Sequence, residues 1–189
     1  MAGLKEIRGR IVTVKTTMQV TSAMKMVSAA KLVKAQNVLL SSRPYALKLT
    51  ELLSHLLMEE ETRENFPYLE TKSRDIKNVL LVIVTSNRGL CGAFNSSLVK
   101  AAAEQIKENY KGKNVDLISI GKAGGKLLKS RKLETLSQHN DIFNDLSFDS
   151  LNELSGQFTE DYLNGKYDKI EFAYTNFVSA GRLEITFEN

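Results

Sequence analysis

The sequence predicts an α/β protein in which one very long N-terminal helix precedes a small α/β domain. Three observations carry this reading. No glycine occurs between Gly9 and Gly89, and Pro44 and Pro67 are the only prolines. The first part of that breaker-free stretch is rich in Ala, Lys, Met, Leu and Val, residues suited to helix. From residue 76 onward the pattern changes to short apolar, β-branched runs separated by helix-period segments.

The long helix is read from its spacing. Leu4, Ile7, Ile11, Val14 and Met18 step by three and four residues, and Thr21, Lys25, Ser28, Leu32, Ala35 and Leu39 continue the seam. The middle of that seam is poorly apolar, because Thr21, Ser28 and Ala35 are small and Lys25 is charged. Met24, Met26 and Val27 supply bulk elsewhere on the circumference. A helix from residue 4 to 43 extends ~60 Å at ~1.5 Å per residue. Such a rod is weakly stable alone and needs a partner helix, which the rest of the chain does not offer at comparable length. Pro44 is expected to kink it, since proline removes an internal hydrogen bond. Leu49, Leu52, Leu53, Leu56 and Leu57 then mark a resumption, giving a helical unit over 1–58. Residues 59–75, charged and containing Pro67, read as a linker to a domain over 76–189.

Within that domain, NVLLVIVTS (78–86) is a continuous apolar run, the pattern of a strand covered on both faces. Asn95 is expected to cap a helix whose inward face is Leu98, Ala102, Ile106 and Tyr110. VDLISI (115–120) is a second buried strand, followed by Gly121 and a short helix ending near Ser130. Residues 133–138 are expected as a third strand. Ser150 and Glu153 have capping-box spacing, and the helix they open carries Leu151, Leu154, Phe158 and Tyr162 on one face. KIEFAYTNF (169–177) and RLEITF (182–187) close the domain as strands, with Gly181 in the turn. Strands alternating with helices indicate a sheet of Rossmann-like type.

Charge narrows the function. The formal net charge is +4. Residues 1–43 hold eight cations (Lys5, Arg8, Arg10, Lys15, Lys25, Lys31, Lys34 and Arg43) against a single acid, Glu6. A basic rod on a mildly acidic body points to an acidic partner. That partner is not expected to be nucleic acid, because residues 1–43 contain no aromatic residue to stack on bases. No run approaches the length of a transmembrane helix, and the N-terminus lacks the apolar core of a signal peptide. A single cysteine, Cys91, excludes an internal disulfide and fits a reducing compartment. His55 and His139 have no histidine or cysteine at i+3 or i+4, so no metal is expected.

Two segments resemble phosphate sites and fall short. IGKAGGK (120–126) follows a strand and opens a helix, but its first glycine stands one residue too close to the Gly-Lys pair. Leu127 also occupies the place of the magnesium-binding hydroxyl. SNRGLCGAFN (86–95) lies at a strand end without the GxGxxG pattern. A tight strand-to-helix turn is the reading preferred for the first segment, and no cofactor is expected. Cys91 lies near a helix N-terminus and Arg88, surroundings that in general favour a thiolate. It has no histidine close in sequence, and a buried thiol packing a turn is the reading preferred.

KEIRGRI (5–11), TMQVTSAMKMVSAAKL (17–32), RPY (43–45) and TSNRGLCGAFN (85–95) together resemble the gamma subunit of F-type ATP synthases, in order along the whole chain. The resemblance implies an antiparallel coiled-coil shaft made of N- and C-terminal helices, with an α/β domain inserted between them. It implies that the second shaft helix follows residue 189 and is absent from this chain. The shaft would stand in a ring of alpha and beta subunits, with its foot on the membrane rotor ring and the epsilon subunit. Arg8, Arg10, Lys15, Met24, Lys25, Lys31 and Lys34 would face the beta subunits or the other shaft helix. Met24 and Lys25 would lie level with acidic loops of beta. Arg43, Tyr45, Arg88 and Cys91 would be contacts to epsilon or the ring. The implied function is a non-catalytic central-stalk rotor coupling proton flow to conformational change in beta, peripheral on the cytoplasmic side of a bacterial inner membrane. A motif that starts at residue 4 leaves no room for an organellar presequence, and one cysteine argues against thiol control. The alternative is a small α/β nucleotide-binding protein or enzyme with a helical appendage.

Overall fold

The computed structural model describes residues 3–56, 75–144 and 147–189. The chain divides into two compact units, residues 1–65 and 66–189.

In the first unit, α1 runs from Leu4 to Leu56, 53 residues, with none of them buried. Gln36 and Leu39 alone are half-buried among the described residues of this helix. Residues 44–48, where the sequence puts a kink and a restart, are helical as well. Pro44 lacks the N–H that would reach the Leu40 carbonyl, yet helix continues on both sides. Just before it, the Ser41 and Ser42 hydroxyls donate to the carbonyls of Val38 and Leu39 at 2.9 and 3.1 Å. Because the helix is unbroken, the three-and-four stepping that begins at Leu4 passes through Ser42 and Ala46 and meets Leu49, Leu53 and Leu56 in phase. Thr13, Thr16, Thr17 and Thr21 return their hydroxyls to carbonyls four residues back, which satisfies them without a partner. The end of the helical unit at 57–58 and the linker expected over 59–75 fall almost wholly outside the described residues.

The second unit is a five-stranded sheet of order β3-β2-β1-β4-β5. Its strands are β1 (Asn78–Val84), β2 (Asn114–Ile120), β3 (Ser137–His139), β4 (Lys169–Ser179) and β5 (Arg182–Glu188). The helices are α2 (Phe94–Asn109), α3 (Lys122–Ser130) and α4 (Phe148–Leu163). Pairs β1–β2, β1–β4 and β2–β3 are parallel, and β5 returns antiparallel to β4. β1 is central, and Val79 to Ile83 have no solvent exposure. Alternation splits them between two cores. Leu81 and Ile83 pack with Leu98, Val99, Ala102 and Leu128 from α2 and α3. Leu80 and Val82 pack with Ile118, Ile120 and Phe158 of α4. Phe158 meets Phe172 edge-to-face at 5.9 Å between centroids, a favoured aromatic geometry.

Three local expectations are corrected. α2 begins at Phe94 with Ala93 at its N-cap and no side-chain cap, because the Asn95 amide is drawn back to Ser86 instead. α4 is capped by Ser147, whose hydroxyl accepts from the Ser150 N–H; the capping serine lies three residues earlier than the Ser150/Glu153 spacing suggests. β3 is shorter and later than 133–138. The turn that closes α3, with Lys132 at φ 60° and the Leu133 N–H returned to the Leu128 carbonyl, occupies the beginning of that segment.

Candidate interaction surfaces

The basic surface is α1. Arg8, Arg10, Lys15, Met24, Lys25, Lys31, Lys34, Arg43 and Tyr45 are all exposed on it. Arg10 is held by Glu6 at 2.7 Å, four residues away on the same helix. Among the described residues no ion pair engages Lys15, Lys25, Lys31 or Lys34. At 3.6 residues per turn Arg8 and Lys15 share one side of the rod, and Lys31 and Lys34 share another roughly a third of a turn away. The positive charge therefore winds around the helix and does not form a single stripe. Apolar side chains stand between the cations: Met24 is 46% and Met26 65% exposed. A helix of this length with so much apolar surface in water is incomplete as an isolated object.

The second surface is the loop after β1, residues 85–93, which contains Arg88 and Cys91. Asn95, 5% exposed, is its anchor. The Ser86 N–H donates to Asn95 Oδ1 at 3.0 Å, and Asn95 Nδ2 donates to Ser86 Oγ at 2.9 Å and to Cys91 Sγ at 3.2 Å. Cys91 is exposed, which corrects the expectation of a buried thiol; the turn it belongs to is held by Asn95. At the loop tip Leu90 is 93% exposed with φ 60°, an uncommon conformation for a side chain of its size. Leu90 is the residue that sequence reasoning passed over. Its signal is an apolar residue between Gly89 and a cysteine in an otherwise polar turn.

The same loop explains IGKAGGK. The N–H groups that open α3 are all engaged by it. The Lys122 N–H donates to Asn87 Oδ1 at 3.1 Å, the Ala123 N–H to the Ser86 carbonyl at 3.2 Å, and the Gly124 N–H to Thr85 Oγ1 at 2.8 Å. Those groups would have to be free to cradle a phosphate. The glycines answer to packing. A Cβ at Gly121, whose φ is 96°, would overlap the Thr85 carbonyl; at Gly124 it would overlap Ser119 Oγ, and at Gly125 the Gln138 amide. Lys126 is exposed. His139 is tied to its own strand, its Nε2 3.1 Å from Ser137 Oγ. Among the described residues no cluster of His, Cys, Asp and Glu suits a metal ion.

A single long helix that carries basic and exposed apolar residues, together with a sheet of order β3-β2-β1-β4-β5 and an antiparallel edge, defines a protein of α/β class. The family model described as ATP synthase matches residues 3–189, and the chain belongs to that ATP synthase gamma family. It is 50% identical over 180 residues to the ATP synthase gamma chain of Flavobacterium johnsoniae, covering 95% of this chain and 62% of that one. It is 37% identical over 189 residues to the ATP synthase gamma chain of Bdellovibrio bacteriovorus, covering 100% and 63%. The chain thus spans rather less than two thirds of the length of these curated relatives. Among solved structures, the mitochondrial ATP synthase central stalk and c-ring of Tetrahymena thermophila aligns with TM-score 0.67 and 26% identity, over 89% of this chain and 70% of that one. The Euglena gracilis mitochondrial ATP synthase aligns with TM-score 0.56 at 19% identity, a likeness of fold.

Proposed function

We propose that this chain is the central-stalk rotor component of a proton-translocating F-type ATP synthase, acting mechanically and not as a catalyst. The observation that carries the reading is α1: 53 helical residues without one buried, apolar and basic around the whole circumference, in a chain of the ATP synthase family. In this reading α1 is one strand of a two-helix shaft inside the ring of alpha and beta subunits. Rotation offers successive faces of the shaft to three beta subunits and biases each between open and closed states, which requires differential contact energy with each state. Arg8, Arg10, Lys15, Met24, Lys25, Lys31 and Lys34 are the contacts to beta and to the second shaft helix, and a winding set of cations suits partners met in turn. Arg43, Tyr45, Arg88 and Cys91 are contacts to epsilon or to the membrane rotor ring. No described helix is long and apolar enough to cross a membrane. In the rotor reading the chain is attached peripherally, through partners, on the cytoplasmic side of a bacterial inner membrane.

The test uses full-length variants in the complete complex. Met24→Lys adds a cation that pairs with a beta carboxylate in some rotary positions and not in others, worth ~0–1 kcal/mol if exposed and more if partly desolvated. ATP hydrolysis should slow and proton pumping should lose coupling, with assembly intact. Lys25→Glu should weaken association, most clearly at low salt. Unchanged rate and coupling for Met24→Lys across a range of salt would remove the contact assignment.

A further inference from the structure

Asn164–Gly165 is the one place in the sequence where glycine follows asparagine. The pair closes α4. Asn164 is the C-cap, with φ −74° and ψ −1°, and Gly165 follows at φ 73°, the left-handed position at which glycine commonly ends a helix. Both are exposed, and nothing lies within 4 Å of where a Cβ on Gly165 would stand. Other asparagines in the turns of the domain are tied. The Asn87 Oδ1 accepts from the Lys122 N–H, Asn95 is held at Ser86 and Cys91, and Asn144 Nδ2 donates to Asp141. The Asn164 side-chain amide has no hydrogen-bond partner among the described residues.

An asparagine side chain is open to attack by the nitrogen of the next peptide bond, which closes a five-membered ring. A Cβ on the following residue crowds that approach, and glycine has none. The fold sets a brake on the reaction. The Gly165 N–H donates to the Tyr162 carbonyl at 3.1 Å, and ψ near zero holds that nitrogen away from the Asn164 side chain. The bond lies in the last turn of an exposed helix end, where local opening costs least. The turn therefore slows the attack without blocking it.

We propose that Asn164 is a deamidation site, converted through a succinimide whenever the last turn of α4 opens. The Gly165 nitrogen bonds to Asn164 Cγ as the Cγ–Nδ2 bond breaks, and Nδ2 leaves as ammonia with the proton of the peptide nitrogen. Water then opens the ring. Addition at Cγ gives aspartate in the ordinary backbone, and addition at the main-chain carbonyl gives isoaspartate, whose backbone is longer by a methylene. The position makes the change matter, whatever the partner of α1. Just beyond the turn, Tyr167 is 2% exposed and gives its hydroxyl to Asp116 at 2.8 Å. Beside it, Asp168 accepts the N–H groups of Lys77 and Asn78 at 2.9 and 2.8 Å and ties down the start of β1. A longer backbone at residue 164 displaces the turn that sets both. The new carboxylate also stands at a helix C-terminus, where the dipole disfavours negative charge.

The 189-residue chain is held in mildly alkaline buffer and sampled over time. Conversion at each asparagine is read by peptide mass mapping, and isoaspartate is counted by an isoaspartyl methyltransferase label. Asn164 should convert several times faster than any other asparagine in the folded chain and give both products. It should convert faster still in urea, where the Gly165 N–H is released. Asn164→Gln, which would need a six-membered ring, should abolish the early conversion. The isoaspartyl fraction, separated by chromatography, should show a lower urea midpoint than the fresh chain, and Asn164→Asp, with the ordinary backbone, should keep most of it. The proposal is overturned if another asparagine converts first in the folded chain, or if aspartate is the sole product. It is equally overturned if Asn164 stays intact in the folded chain after the chain in urea has fully converted. An isoaspartyl fraction as stable as the fresh chain would overturn the role given to the turn.

Discussion

α1 and β1 both carry many aliphatic residues, yet their fates are opposite. β1 places Val79 to Ile83 wholly out of water, with a helix-borne core on each face. α1 places Leu4, Ile11, Val14, Met18 and Leu32 in solvent. Composition alone does not separate them; geometry does. A strand with two parallel neighbours and helices on both faces has its burial supplied from within about a hundred residues of the same chain. A single helix of this length has twenty or more side chains spread around a cylinder, and only another helix can cover them. The expectation is that the domain carries its own stability and that the helix depends on a partner.

Mutations that break this contrast should rank by burial. Leu81→Ala or Leu98→Ala should cost ~2–5 kcal/mol through a cavity in the core, read from urea melts of the α/β signal. Residues 76–189 alone should keep a single cooperative transition. A non-cooperative melt of that fragment would mean that α1 supports the domain after all. Gly121→Ala should cost about 2–3 kcal/mol from a strained φ and overlap with Thr85. Lys126→Ala, in the same phosphate-like motif, should stay within ~0.5 kcal/mol as an exposed change; a comparable loss for both would undo the packing account of the glycines.

Alkaline pH sharpens the contrast further. Burial and the hydrogen bond to Asp116, 2.8 Å from its hydroxyl, push Tyr167 well above the ordinary tyrosine value. Burial works to lower Lys169, but its 2.7 Å bond to the Glu171 carboxylate opposes that and it stays raised. Both groups hold their protons longer in the folded state than in the unfolded chain. Their contribution is complete below pH ~10 and is lost as pH rises through the folded values. The urea midpoint of the domain should therefore fall above pH ~10, and Tyr167→Phe should flatten that fall. The smallest effect belongs to α1: Met24→Ala should change the stability of the isolated chain by no more than ~0.5 kcal/mol, whatever Met24→Lys does in an assembled motor. A larger loss would show that α1 is already packed.

What the sequence conveyed follows the same division. The 3–4 stepping of α1, the covered strand at 78–84, the buried half of β2 at 117–120 and the inward face of α2 depend on local pattern, which survives into the fold; Asn114 and Asp116, within or beside the run expected to be buried, are exposed. The strand order, with β5 antiparallel at the edge, depends on pairing between distant segments and was not readable. The caps went astray for a related reason. Asn95 has the right side chain for a helix start, but Ser86, nine residues earlier, takes two hydrogen bonds with it and Cys91 a third. The surface residues of α1 were legible as charge, whereas Leu90 was not, because one exposed leucine has no period. The phosphate-like motif shows the limit most directly: its glycines fit a nucleotide loop on paper, and only the positions of Thr85, Ser119 and Gln138 reveal what they are for.

The three bonds from Thr85, Ser86 and Asn87 to the first turn of α3 have a mechanical consequence. They run side by side from one short segment to one helix end, so a pull on the loop that carries Arg88 and Leu90 is shared among them and cannot peel them one at a time. The segment is also the direct continuation of β1, the strand at the centre of the sheet. A load applied at the loop would thus reach the central strand of the sheet within a few residues. The backbone amides of Lys122, Ala123 and Gly124 should accordingly exchange with deuterium as slowly as those of a core strand, although they lie at a helix end, where exchange is ordinarily fast.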